Sequence, residues 1–474
     1  MTTVRSLRTF SAAVLAASAL ALGSCSSTPE TQTSEEVAAP STPTVDPDAS
    51  SFFDAAEEAV VTDKDQALTG AQTAVEKGIP MFFDGPDTAA KLEKLGVTKV
   101  YTAGNVGTYE NAETLEQGAS ASEHFGDMQT VAGMTPPEPR DLTALVTAKT
   151  GLADIATARA AGATVMPLAV GDPRVTKASM DAVSKGNVVA LGPGFGTQEN
   201  FDRRVELAAN GELPGGGGLV FPGRRMVALY GHPSGPALGV MGEQDPAGSV
   251  AKVKELAAQY QEFTDYPVIP AFEVIATVAS GGPGPDGNYS NESDPAELEP
   301  YVDAIVDAGG YAILDLQPGR ASLLEQAQRY EDLLSGPNVG LALDPEWKIG
   351  PDELPMENVG HVEAAEVNEV ADWLAGLVSE KKLPQKALVL HQFQQQMIRD
   401  RETIKTDHPE LAFVLHADGH GPTGVKMETW NVMREGLSSD YFMAWKNFID
   451  EDEPMLTPEG TFSVEPRPWF VSYQ

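Results

Sequence analysis

The chain has 474 residues, with 69 acidic against 32 basic side chains, a formal net charge of −37 and one cysteine. So acidic a surface repels nucleic acid and anionic lipid headgroups, and a single cysteine excludes an intramolecular disulfide. The length exceeds what one core usually serves, so two domains are expected.

Residues 1–24 read as an export signal. Arg5 and Arg8 precede the apolar run "TFSAAVLAASALALG", too short to span a bilayer comfortably, and the run ends at Leu22-Gly23-Ser24-Cys25. That tetrapeptide resembles the lipobox of bacterial lipoproteins, which implies that Cys25 is acylated and becomes the new N-terminus. The protein is then expected on the outer face of the cell membrane, lipid-anchored in the cell envelope. Residues 25–50, rich in Ser, Thr, Pro and acid, predict a disordered tether that holds the body roughly 30 Å from the bilayer.

From 51 to 212, short apolar strands alternate with Ala-rich helical stretches. "IPMFFDG" (79–85), "TKVYTAG" (98–104), "TALVTAK" (143–149), "TVMPLAVG" (164–171) and "NVVALGPG" (187–194) are the strands, and 151–162 and 176–186 are helical. Such alternation predicts a parallel α/β domain of flavodoxin-like type, covered on both faces. The stretch "AVEKGIPMFFDGPDTAAKLEKLGVTKVYTAGNVGTYENAETL" is similar to the second type of putative cell-wall-binding repeat of Gram-positive surface proteins, with Gly104-Asn105 in place of the usual glycine pair. The resemblance implies that this domain binds a wall polysaccharide or peptidoglycan.

"ANGELPGGGGLVFPGRR" (209–225) follows, and its four consecutive glycines suit a hinge between two domains. Residues 213–474 then supply eight candidate strands, at 225–231, 266–277, 311–317, 339–344, 386–393, 411–418, 440–448 and 469–474. Amphipathic helical patterns separate most of them, which predicts a TIM-type (β/α)8 barrel.

The working face of such a barrel is at the C-terminal ends of its strands. Those ends carry Tyr230 and His232, Glu273, Asp315 and Gln317, Asp344 and Glu346, His391, Gln392 and Gln394, His416, Asp418 and His420, Trp445 and Lys446, and Tyr473. Asp344-Pro345-Glu346 has two readings. As a helix start, Asp344 is the N-cap and Pro345 the first helical residue, a use of Asp-Pro the chain makes at 245–246 and 294–295. As a strand end, the apolar "GLAL" runs directly into it and both carboxylates face the barrel axis. The second reading resembles muramidases and chitinase-like glycoside hydrolases, which carry Asp-x-Glu on a barrel. It implies Glu346 as general acid, Asp344 as its neighbour, Asp315 and Asp418 as supporting carboxylates, and no cofactor. His232, Glu273, His391, Gln394 and His416 are then candidate substrate contacts, and Trp347, Trp445 and Tyr473 candidate sugar platforms.

The alternating His416, Asp418 and His420, with His391 and His232 nearby, offer a metal-dependent hydrolase instead, faintly similar to barrel amidohydrolases. Those have a His-x-His after strand one and an aspartate on the closing strand, which this chain lacks. The sequence therefore predicts an envelope lipoprotein that binds wall polymer and carries a glycoside-hydrolase-like barrel, with a non-catalytic wall-binding protein as the alternative.

Overall fold

The computed structural model describes residues 3–4, 42–118 and 124–474. Cys25, residues 26–41 of the tether and all but two residues of the signal-like segment lie outside the described residues. Among the described residues no helix is long and apolar enough to cross a membrane. The chain divides into two compact units, one formed by residues up to 171 with 181–201, the other by residues 172–180 with 202–474.

The first unit is parallel α/β, as its strand and helix alternation predicts. Apart from an antiparallel pair, Thr3–Val4 with Phe53–Ala55, its described strands fall into two four-stranded sheets. One orders Thr44–Asp46, Val188–Leu191, Thr143–Val146 and Thr164–Pro167; the other orders Met81–Phe83, Glu58–Thr62, Lys99–Ala103 and Ala112–Thr114. Helices Ala67–Lys77 and Leu152–Ala160 share one core with both sheets through Ala71, Ala74, Val75, Ile155 and Ala156. Residues 42–50 were expected to belong to the tether, and the structure corrects this. Val45 and Asp46 pair with Ala190 and Leu191, and the Asp46 carboxylate accepts from the backbone of Ser51 at 2.7 Å. Backbone pairing and a buried turn hold this short strand, so no apolar period marks it in the sequence.

The second unit contains a closed barrel of eight parallel strands: β1 Arg225–Gly231, β2 Val268–Ala279, β3 Tyr311–Leu316, β4 Val339–Leu343, β5 Lys386–Gln392, β6 Leu411–Ala417, β7 Phe442–Asn447 and β8 Phe470–Tyr473. Each pairs with the next, and β8 returns to β1. Helices α1 Pro246–Gln261, α2 Pro295–Asp307, α3 Leu323–Arg329, α4 Ala364–Lys381, α5 Thr423–Arg434 and α6 Pro458–Phe462 follow strands one, two, three, four, six and seven. After β5 two short 3-10 turns flank a two-residue strand, Ile398–Arg399, which pairs with Val362–Glu363.

Period-two alternation divides every strand between two cores. Val227, Leu229, Phe272, Val274, Leu341, Leu388 and Leu415 face the helices. Met226, Ala228, Ala271, Ile313, Ala342, Val389, Val414 and Ala444 fill the barrel. Fully burying one such Val or Leu contributes about 1.5–3 kcal/mol, so a one-residue slip in any strand would exchange the two sets and is strongly disfavoured.

The glycine-rich seam is not a hinge. Leu213, Val220 and Phe221 are buried in the same cluster as the lower barrel residues, and the Arg224 guanidinium donates to the carbonyls of Pro214, Gly216, Gly217 and Leu219. A Cβ on Gly217, which has φ +78°, would lie 2.6 Å from the Val175 carbonyl oxygen. The glycines let backbone pack on backbone there, and the segment closes the N-terminal end of the barrel.

Candidate active site

The inward alternation that fills the lower barrel with Ala, Val and Met changes character near the C-terminal ends of the strands. The next inward positions are Tyr230 on β1, Glu273 on β2, Asp315 on β3, Asp344 after β4, His391 on β5, His416 on β6 with Asp418 just beyond it, Lys446 on β7 and Ser472 on β8. All are buried, and Glu273, Asp315, His391, His416 and Ser472 are 0% exposed. Burying a polar group costs free energy unless it is hydrogen-bonded, and burying a charge costs more unless it is paired.

His391 is the hub. Its Nδ1 lies 2.7 Å from Asp418 Oδ2 and its Nε2 2.8 Å from Glu273 Oε1. Both ring nitrogens therefore face carboxylates, which is the pattern of an imidazolium. Burial alone would lower the His391 pKa, but Glu273 and Asp418 more than offset it and hold it well above the ordinary value. Burial would likewise raise both carboxylates. The positive charge of His391 holds Glu273 below the usual range, and Lys446 together with His391 does the same for Asp418. Lys446 Nζ makes an ion pair with Asp418 Oδ1 at 3.2 Å and stands 3.8 Å from the centre of the Tyr230 ring. His416 accompanies the triad without joining the charge: burial lowers its pKa, Nε2 is 3.1 Å from Ser472 Oγ, and its Nδ1 is 3.7 Å from Glu273. Two anions and two cations thus balance below the mouth.

Three other carboxyls have the opposite character. Asp315 accepts from the Tyr230 hydroxyl at 2.7 Å, yet burial pushes it up to about 6. Burial, then the nearby Glu346, raises Asp344 well above the carboxylate range. Burial, then the charge of Asp418, pushes Glu346 up to about 7. Glu346 is only half-buried, and with Asp344, Trp347, Asp418 and Lys446 it lines a cavity of about 470 Å³ at the mouth.

The loop that carries Glu346 is tied down. Gly360 N–H donates to the Glu346 carbonyl at 2.7 Å, Ile349 N–H to Gly319, and the Lys348 ammonium to the Ala321 carbonyl. A Cβ on Gly360 would fall 2.2 Å from the Lys348 carbonyl oxygen and 2.6 Å from that of Glu346, so this approach requires glycine.

No protein-family model and no curated protein sequence matches the chain.

The two readings of Asp344 separate here. Asp172, Asp245 and Asp294 each accept a backbone N–H of the turn or helix they start, whereas Asp344 makes no such side-chain bond. It begins a 3-10 turn, Pro345–Trp347, through its backbone alone, and its Oδ1 has no hydrogen-bond partner among the described residues.

Of the predicted site residues, Asp344, Glu346, Trp347 and Asp418 line the cavity, while Glu273, Asp315, His391 and His416 form the buried set beneath it. Trp445 and Tyr473 are corrections. Each neighbours an inward residue, Lys446 or Ser472, so alternation turns both outward. Trp445 packs on Trp430 with ring centres 5.5 Å apart, and the Tyr473 hydroxyl meets that of Tyr260 at 2.6 Å. Gln394 is a third correction: it is exposed beyond β5 and does not line the cavity. His232 lines a separate, shallower cavity. Ser472 escaped the sequence reading, although its inward parity next to Tyr473 marks it.

Two donor sets have metal-like proximity, Glu273, His391 and His416, and Asp344, His391 and Asp418. Both need His391, whose nitrogens both face carboxylates at hydrogen-bond distance, leaving no lone pair for a cation. His420 belongs to neither set; it is exposed, with its ring against Phe448. The donor chemistry fits an ion triad, and the alternating His416, Asp418 and His420 do not assemble as ligands.

Proposed function

We propose that the barrel is a glycoside hydrolase acting on a glycan of the cell envelope. The observation that carries this reading is the division of the mouth carboxyls. Glu346 borders the cavity with its pKa pushed up to about 7, while Asp418, bordering the same cavity, is held ionised by Lys446 and His391. Carboxyls whose environments drive them apart serve as acid and as anion in glycoside cleavage. Glu346 gives its proton to the glycosidic oxygen as that oxygen's bond to the anomeric carbon breaks, and a water molecule then bonds to that carbon while its proton returns to the Glu346 carboxylate. Asp418 stays negative and faces the positive charge that develops on the ring. Asp344, raised well above the carboxylate range by burial and by Glu346, is neutral there. Trp347, Phe393 and Phe448 give the cavity apolar walls suited to the faces of a sugar.

The same reading makes the protein an envelope lipoprotein. The lipobox-like Leu22–Cys25 supports acylation at Cys25, and the repeat-like stretch in the first unit supports attachment to wall polymer. Cys25→Ala is expected to release the protein from the membrane fraction into the medium. For the barrel the test is Glu346→Gln: the variant keeps its melting temperature and loses release of reducing ends from purified wall glycan. Retained release removes Glu346 as the acid.

A further inference from the structure

The His232 cavity, about 290 Å³, is not isolated. Leu238 and Val278 line both it and the larger cavity that holds Glu346, so the two adjoin at these apolar side chains. Its polar wall is built in a defined state. Both the backbone N–H of Ser234, at 3.0 Å, and its hydroxyl, at 2.8 Å, meet His232 Nδ1; the backbone N–H can only donate, so that nitrogen is the acceptor and the proton sits on Nε2. Burial lowers the His232 pKa, which agrees with a neutral ring. His232 Nε2–H therefore donates to Ser293 Oγ at 2.9 Å. Ser293 spends an acceptor position on the histidine, and its own hydroxyl proton has no acceptor among the described residues. An oriented donor is left at the cavity wall, beside the exposed side chain of Asn291.

Charge narrows the ligand. Among the described residues lining either cavity, Lys446 is the only lysine or arginine, and Asp418 neutralises it. Glu292 and Glu297 border the second cavity and Asp344, Glu346 and Asp418 the first. A uronate or a phosphate would meet no unpaired lysine or arginine among these described lining residues.

We propose that the two cavities form one cleft for a neutral glycan chain, with Ser293, oriented by His232, binding a sugar unit beyond the one held at Glu346. The substrate is then a polymer of uncharged sugars cut within the chain, and the shared wall of Leu238 and Val278 carries the apolar face of the unit between. This rests on the glycoside-hydrolase reading for the cutting, and on the cavities alone for the binding.

The test uses the full chain carrying Glu346→Gln, titrated calorimetrically with neutral oligosaccharides from dimer to hexamer: β-1,4-linked N-acetylglucosamine, β-1,4-glucan, α-1,4-glucan and mannan series. Oligogalacturonates of the same lengths are the charged control. At least one neutral series is expected to gain about 10-fold or more in affinity between dimer and hexamer, with no gain for oligogalacturonate. Adding Ser293→Ala is expected to weaken the hexamer about 3- to 10-fold more than the dimer, the worth of one or two neutral hydrogen bonds. Asn291→Ala, at an exposed position, is expected to give a smaller loss of the same length dependence. Affinity independent of length, equal binding of oligogalacturonate, an equal effect of Ser293→Ala on dimer and hexamer, or no neutral series binding at all overturns the proposal. A neutral chain that binds by length but is never cut by the wild-type protein sinks the hydrolase reading and leaves the cleft standing; one that is cut with length-independent affinity does the reverse.

Discussion

Replacing His391 with leucine, of similar volume, removes the cation between two buried anions. Glu273 and Asp418 lie 2.8 and 2.7 Å from its ring nitrogens, and Glu273 is 0% exposed. Removing one partner of a buried ion pair costs about 3–5 kcal/mol, because the remaining charge is left without water or counter-ion. For a unit of this size that lowers the melting temperature by about 6–10 °C. The pH dependence identifies the cause. In the wild type, Glu273 and Asp418 are held below the usual carboxylate range, so their contribution is present above the unfolded value near pH 4 and is lost as pH falls through the lower folded values. His391 is held above its ordinary value, so its contribution is complete below about pH 6.5 and is lost as pH rises through the folded value. The triad is therefore intact at neutral pH. In His391→Leu, burial without the imidazolium raises Glu273, which takes up a proton on mild acidification, while Asp418 keeps its ion pair with Lys446. The variant's deficit is largest at pH 7 and shrinks towards pH 5. Calorimetric melting of both proteins across that range decides the matter. A deficit under about 2 °C at pH 7, or one that does not change with pH, refutes the ion triad.

Hydrolysis itself should fail on the alkaline side: if Glu346 donates a proton, kcat/KM falls as pH rises through about 7, and a profile flat from pH 5 to 9 assigns the acid elsewhere. Lys386, buried beneath the barrel and donating to the carbonyls of Gly336 and Val339, is pushed down by burial to about 7. Its folded state binds fewer protons than its unfolded state between about pH 7 and 10, so wild-type stability rises over that interval. Lys386→Met is expected to flatten that rise in urea midpoints. Trp445→Ala is expected to cost about 3–5 kcal/mol of stability with KM unchanged, as for a core aromatic. Trp347→Ala is expected to raise KM several-fold with no loss of melting temperature, and the reverse assignment would return Trp445 to the mouth.

The barrel was legible because each strand announces itself as an apolar run followed by a polar residue, and eight such runs in one region leave few architectures. The carboxyls and histidines of the mouth were legible for the same reason. What misled the reading was treating strand ends as points, without their alternation. Counting by twos from Ala444 keeps Lys446 inside and turns Trp445 out. The same count from Phe470 selects Ser472 over Tyr473. The seam was misread because glycine signals backbone freedom equally for a hinge and for close backbone packing. Only Arg224, donating into four carbonyls, reveals which. The charge states of the mouth lie beyond any strand pattern, since they depend on which side chains meet across the ring.

Asp344 shows how local chemistry and position compete. The same dipeptide, Asp-Pro, occurs at 172, 245, 294 and 344, and also at 46, where the carboxylate holds a turn after a strand. At 172, 245 and 294 the aspartate has a free backbone N–H to accept, and it caps. At 344 the chain arrives still held by β3, with Asp344 N–H donating to the Leu316 carbonyl at 3.0 Å. That bond continues the sheet's alternation by one residue and aims the side chain inward, where no turn amide is in reach. Forming the barrel therefore denies Asp344 its cap and buries it beside Glu346. Burial with the charge of Glu346 raises Asp344, and burial with the charges of Asp418 and Asp315 raises Glu346, so each keeps its proton at a pH where an exposed carboxyl would have lost it. Asp344→Asn retains a neutral, similarly shaped group, so it is expected to leave folding and the alkaline limit of activity both intact. A lowered limit would mean that Asp344 carries a charge beside the acid, and would refute its neutral state.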